Sequence, residues 1–199
     1  MAVVITLTGP SQCGKSTIRN LILEQSAEKF KPMIFKKYTT RRSREIEDDA
    51  ICVNSIPANC DLVYEQYEVR YGFHFDDLYD LLERGQSPII VLNDVRAVED
   101  VRTALAPQVV SLFLYRNPPE KSKFLEEEMR RATPGTPLND IEETAQKRFD
   151  KAKAIYRIYI ENIHLFDHVI LNVADFKYTH KQIEHIVNNI KSATKELKG

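Results

Sequence analysis

The chain has 199 residues, 43% of them hydrophobic, which is enough for one sizeable core and therefore for a single domain. Its 28 basic and 29 acidic side chains nearly cancel, which leaves no general electrostatic case for a nucleic-acid or membrane partner. The three cysteines, Cys13, Cys52 and Cys60, include no CxxC pair and argue against a disulfide framework or a zinc site. No apolar run approaches the roughly 20 residues of a membrane span, and the N-terminus has no basic n-region, so a soluble cytoplasmic protein is expected.

Val3 to Thr8 is a short apolar run ending at a glycine, the pattern of a strand buried on both faces of a parallel sheet. Ile18, Leu21, Ile22 and Ala27 then fall on one side of an amphipathic helix over Lys15 to Lys29. Ile34 to Thr40 reads as a second strand, and Arg41 to Pro57 is charged and irregular. Asp61 to Tyr71, rich in Val and Tyr, reads as a strand or hairpin. Phe75 to Arg84 is a helix with Gly85 as its stop signal, followed by Pro88 to Leu92, the most apolar run and the expected central strand. Val98 to Leu105 is a short helix and Val109 to Tyr115 another buried strand. Two charged helices, Glu120 to Arg131 and Asn139 to Ile163, flank the breaker Thr133-Pro134-Gly135-Thr136-Pro137. His168 to Asn172 is a last short strand, and Tyr178 to Lys195 a closing helix.

Strands alternating with helices imply an α/β fold with a mostly parallel sheet. The alternation breaks over residues 38–75 and 126–148, both polar and both following a sheet strand, where ligand sites of α/β proteins form.

Gly9-Pro10-Ser11-Gln12-Cys13-Gly14-Lys15-Ser16 fits the Walker A pattern, with a strand directly before it and a helix directly after. Its glycines let the backbone wrap so that N–H groups point inward at an anion, and the helix adds its positive end. Lys15 has the reach for the β- and γ-phosphates of a nucleotide, and the Ser16 hydroxyl for Mg²⁺. Gly9, Ser11, Gln12, Cys13, Gly14, Lys15, Ser16 and Thr17 are therefore the expected ATP-binding residues, with Cys13 as a small loop residue.

Tyr38-Thr39-Thr40-Arg41-Arg42-Ser43-Arg44 resembles the threonine-threonine-arginine, two residues, arginine motif of guanylate kinases. In that family the two arginines grip the acceptor phosphate, a task suited to planar, bidentate guanidinium groups. The resemblance continues through Glu65-Gln66-Tyr67-Glu68, whose first glutamate would accept from the guanine edge, and through Tyr71-Gly72, whose tyrosine would touch the monophosphate. Asn93-Asp94-Val95 follows a buried strand, as does the family's aspartate near the metal and phosphates. Leu165 to Asn172 resembles the family's last strand, which would set Asn172 beside the adenine.

This resemblance, from Val3 to about Ile190, implies a P-loop kinase with a mostly parallel five-stranded sheet flanked by helices, a small monophosphate-binding excursion and a helical lid. It divides the single domain into a core (1–36, 76–125 and 149–199), an acceptor-binding region (37–75) and a lid (126–148). The implied catalytic residues are Lys15, Arg41, Arg130, Arg131 and Arg148; the implied acceptor residues are Lys37, Arg41, Arg44, Glu65, Tyr71 and Asp94. Ser16 and Asp94 would serve the metal, ATP and Mg²⁺ would be required, and the protein would be a monomer or homodimer acting on GMP or dGMP.

Several positions depart from the family. Lys37 stands where a serine reads the guanine carbonyl oxygen, Phe73 where a small hydroxyl residue follows the Tyr-Gly pair, and Ala97 where a glycine is usual. A lysine still donates to a carbonyl oxygen, so GMP is not excluded. Asn93-Asp94-Val95-Arg96-Ala97 also resembles a stretch of the ribose 1,5-bisphosphate phosphokinases, which keeps that acceptor, or another (deoxy)nucleoside monophosphate, open. Guanylate kinase-like scaffold modules, which bind phosphopeptides, typically lack the P-loop lysine that is present here as Lys15.

Overall fold

The computed structural model describes residues 2–10, 13–41, 49–66, 69–116, 120–133, 135–173 and 176–196; the side chains of Arg131, Lys151 and residues 193–196 lie outside that description. Five strands, β1 (Val4–Thr8), β2 (Lys31–Ile34), β7 (Gln86–Val91), β8 (Val109–Tyr115) and β9 (His168–Leu171), form a wholly parallel sheet in the order β2-β7-β1-β8-β9. Four more, β3 (Lys37–Thr39), β4 (Ala50–Cys52), β5 (Leu62–Gln66) and β6 (Val69–Phe73), form a second sheet in the order β4-β3-β6-β5. The helices are α1 (Lys15–Glu24), α2 (Phe75–Glu83), α3 (Val95–Leu105), α4 (Lys121–Arg131), α5 (Leu138–Glu161) and α6 (Phe176–Glu196).

The apolar runs become central strands because both faces of the parallel sheet are covered. Ile5 and Leu7 point to a core shared with Ile18 and Ile22 of α1 and with Ile183 and Val187 of α6. Val4, Ile90 and Leu92 point the other way, into a core with Val98 and Val101 of α3, Leu78 of α2 and Tyr159 of α5. Each fully buried aliphatic side chain contributes about 1.5–3 kcal/mol of apolar transfer, so these layers fix the frame on which the loops are mounted. A smaller cluster, Phe124, Ala145 and Ala152 with Phe149, joins α4 to α5, the Phe124 and Phe149 rings meeting edge-on at 5.7 Å.

The single strand expected over Ile34 to Thr40 is two strands in two sheets. Phe35 N–H still bonds the Ile89 carbonyl of the parallel sheet at 3.0 Å, and two residues later β3 pairs with β6 instead. Lys36 and Lys37 interrupt the apolar run here, but the interruption alone does not say that the residues after it join another sheet. Helix α1 ends at Glu24, earlier than expected, and the chain turns back through an Ala27–Phe30 bridge. Helix α3 begins earlier than expected because the Asp94 carboxylate accepts from Ala97 N–H at 2.9 Å and caps it. Asp61 to Tyr71 is a hairpin, with Gln66 facing Val69 across its turn. No helix among the described residues is long and apolar enough to cross a membrane.

Candidate active site

The loop after β1 is shaped by close approach. A side chain at Gly9 would put its Cβ 2.7 Å from Cys13 Sγ and 2.8 Å from the Leu114 carbonyl oxygen on β8, so only glycine fits there. Gly14 caps α1 at φ 98°, in the left-handed region, and among the described residues no side chain caps that helix. The first-turn N–H groups are thus left for a ligand, at the positive end of the helix. The Lys15 ammonium donates to the Gly9 and Pro10 carbonyls at 2.7 Å each, and burial pulls its pKa below the usual lysine range. Ser16 and Thr17 are exposed at the mouth of the loop. Cys13 is buried and burial raises its thiol pKa, so it packs as a small neutral residue. Ser11 and Gln12 lie outside the described residues.

A long-range contact completes this half. Asn172, just past β9, donates its side-chain amide to the Cys13 carbonyl at 2.7 Å. A Cβ on Gly14 would come 2.7 Å from that amide nitrogen. Asn172 therefore braces the phosphate loop itself, a role that the expected position beside adenine did not include.

The second sheet supplies the other wall. Thr40 locks β3 to β6 through Thr40 N–H to the Arg70 carbonyl and Arg70 N–H to the Thr40 hydroxyl, both 3.0 Å. The Thr39 hydroxyl accepts from Arg41 N–H at 3.2 Å and bends the chain where Arg41 begins. The pairings Thr39 with Tyr71 and Tyr64 with Tyr71 put Lys37, Thr39, Tyr64, Gln66 and Tyr71 on one face, the face turned toward the parallel sheet. The Tyr64 and Tyr71 rings stack at 5.2 Å, and burial drives the Tyr64 phenol well above its ordinary pKa. Lys37 lies over the Tyr71 ring at 5.2 Å and donates to the Val91 carbonyl at the end of β7. Gln66 donates to the Asn93 carbonyl at 2.9 Å and the Tyr159 hydroxyl to the same carbonyl at 2.6 Å, which ties the hairpin and α5 to the β7–α3 junction.

Glu65 pairs across the hairpin with Arg70, so it points to the face opposite Tyr71. Because β5 is the edge strand, Glu65 nonetheless lines a cavity of about 450 Å³ with Gln66, Asn93, Asp94, Arg96 and Ile158. The structure thus separates two groups that the motif reading put together: Tyr71 with Lys37 and Arg41 on the inner face, Glu65 with Asp94 at the edge. Arg44 lies outside the described residues.

In the helical pair, Arg148 of α5 forms an ion pair with Glu128 of α4, while Arg130 is exposed. The Arg131 side chain is not described. Residues that the sequence reading missed include Tyr159, Gln66 and Arg116. Arg116 follows β8, and its positive charge reaches Cys13 in the phosphate loop. Its one signal in the sequence is an arginine closing a buried apolar run.

Taken together, the ends of β1 and β7 carry a phosphate loop facing a cationic and aromatic wall, the layout of a donor and an acceptor site. The family model described as Guanylate kinase matches residues 1–190. The chain belongs to the guanylate kinase family. It is 26% identical to the guanylate kinase of Onion yellows phytoplasma over 180 residues, 85% of this chain and 78% of that one. Against the guanylate kinase of Aster yellows witches'-broom phytoplasma the identity is 25% over the same shares. The crystal structure of guanylate kinase from Anaplasma phagocytophilum shares the fold, with a TM-score of 0.55 at 22% identity over 96% of this chain and 86% of that one. Membership of the guanylate kinase family makes the chain an enzyme, a nucleoside monophosphate kinase.

Proposed function

We propose that this guanylate kinase family member moves the γ-phosphoryl group of ATP to GMP, with the loop Gly9 to Ser16 as donor site and the inner face of the second sheet as acceptor site. The observation that carries this reading is the convergence of Lys15, Lys37, Arg41 and Tyr71 at the ends of β1 and β7. In it, the first turn of α1 and Lys15 bind the donor phosphates, and Arg41 and Tyr71 hold the acceptor phosphate in line. Arg148 and Arg130 close from the helical pair, spread the charge of the loose transition state and exclude water. The edge cavity suits a guanine, because the Glu65 carboxylate is an acceptor for its N–H groups and Ile158 offers an apolar wall.

Mg²⁺ fits the oxygen donors available. Ser16 offers an exposed hydroxyl, and Asp94 one carboxylate oxygen beyond the one that caps α3. Bound there with the nucleotide, it neutralises charge on the β- and γ-phosphates. The division into a core (1–36, 76–125 and 149–199), an acceptor region (37–75) and a lid (126–148) belongs to the same proposal, as does a place in the cytoplasm.

One observation favours a second reading. Glu65 stands apart from the Tyr71 face, as a base-free acceptor such as ribose 1,5-bisphosphate would allow. A coupled assay at matched concentrations of GMP, dGMP, other monophosphates and ribose 1,5-bisphosphate separates the two. GMP or dGMP should give the highest kcat/KM; a higher value with the sugar bisphosphate would overturn the reading.

A further inference from the structure

Lys37 is the family departure with the most unusual surroundings. It is only 5% exposed, and among the described residues its one hydrogen-bond acceptor is the Val91 carbonyl. That carbonyl ends β7, next to β1 in the register Leu7 to Val91, and the Lys15 ammonium sits on carbonyls just past the end of β1. Two ammonium groups therefore stand at adjacent strand ends. Arg41 and Lys15 are both close enough to repel the Lys37 charge, and among the described residues Asp49 is the one carboxylate acting on it.

Holding the Lys37 and Lys15 ammonium groups side by side, away from water, is unfavourable unless an anion joins them. A neutral base carbonyl brings no charge to such a group, whereas a phosphate brings up to two. Distance argues the same way. The cavity suited to a base lies at the edge strand β5, and β3 is two strands away across β6, about 10 Å at the usual strand spacing.

We propose that Lys37 is a phosphate-directed cation of the acceptor site, gripping the acceptor phosphate together with Arg41 rather than reading the base. This rests on the GMP kinase reading above. It makes the site more cationic than a serine at the same position would, and it moves base recognition to Glu65 at the hairpin edge.

The test compares GMP with guanosine, which has the same base and no phosphate. Affinities are measured for the wild type, Lys37→Met, Lys37→Gln, Lys37→Arg and Glu65→Ala, each checked for folding by circular dichroism. Both neutral variants should weaken GMP roughly ten- to a hundredfold, the worth of a charge-assisted bond, and leave guanosine within about twofold. Lys37→Arg should recover part of the GMP affinity. Glu65→Ala should weaken GMP and guanosine by the same factor. Equal losses for both ligands in Lys37→Met and Lys37→Gln, or an unchanged GMP affinity, would overturn the proposal. Wild-type protein that binds GMP without turning it over would instead sink the kinase reading, while the comparison of the variants would still report on Lys37.

Discussion

Asn172→Ala isolates the brace on the phosphate loop. The substitution removes one hydrogen bond of 2.7 Å to the Cys13 carbonyl, in a partly buried setting. A bond of this kind is worth about 1 kcal/mol net, so ATP affinity should fall roughly fivefold as the loop loses order. Gly14→Ala attacks the same bond from the other side, because its Cβ would stand 2.7 Å from the Asn172 amide nitrogen. It also forces alanine into φ 98°, adding strain of about 1 kcal/mol, for a total of about 2 kcal/mol. Since both variants lose one bond, the double variant should cost about 2 kcal/mol rather than the sum of about 3 kcal/mol. Calorimetric titration with ATP measures the cycle, and titration with inorganic tripolyphosphate repeats it without adenine. Losses that simply add, together with unaltered tripolyphosphate binding, would show that Asn172 acts on the base and not on the loop.

Lys15→Met should lower kcat at least about a hundredfold while the chain stays folded, because the lysine's partners are loop carbonyls that water can satisfy; a kcat within tenfold of wild type in the coupled assay would contradict its role. Arg148→Ala should lower kcat about tenfold or more and change either KM less, as expected for a charge used mainly in the transition state. Equal kcat in steady-state kinetics would leave Arg148 with only its ion pair to Glu128. Burial and the neighbouring Lys15 and Arg41 charges bring the Lys37 pKa from 10.5 down to about 8 against the pull of Asp49. The folded value lies below the unfolded one, so the unfolded chain holds the proton longer and stability rises between about pH 8 and 10.5. Below pH 8 the full penalty, on the order of 3 kcal/mol, remains, and Lys37→Met should raise the ligand-free melting temperature at pH 7 by roughly 6–12 °C. A melting temperature that falls at pH 7 in differential scanning calorimetry would refute that assignment.

The donor half was legible in the sequence because its parts are contiguous. A buried strand, two spaced glycines, Lys15 and a helix are read in order, and each imposes its geometry locally. The order of alternating strands and helices was legible for the same reason. What escaped the sequence depends on partners far along the chain. The division of Ile34 to Thr40 between two sheets is set by β7 and β6, not by hydropathy within the segment. The motif segment holding Glu65 was readable, but its face is decided by hairpin register, and a shift of one residue exchanges the two faces. Lysine is ordinarily an exposed residue, so nothing in the sequence around Lys37 announced its burial.

The bond between Cys13 and Asn172 spans 159 residues. A chain emerging from the ribosome can form β1 and α1 early, but the loop between them gains its brace only when β9, far downstream, pairs with β8. A partly made or C-terminally clipped chain would therefore carry the whole motif and still hold its phosphate loop slack. Nucleotide capture becomes a late event in folding, so that a chain which tightens on ATP has already closed its sheet.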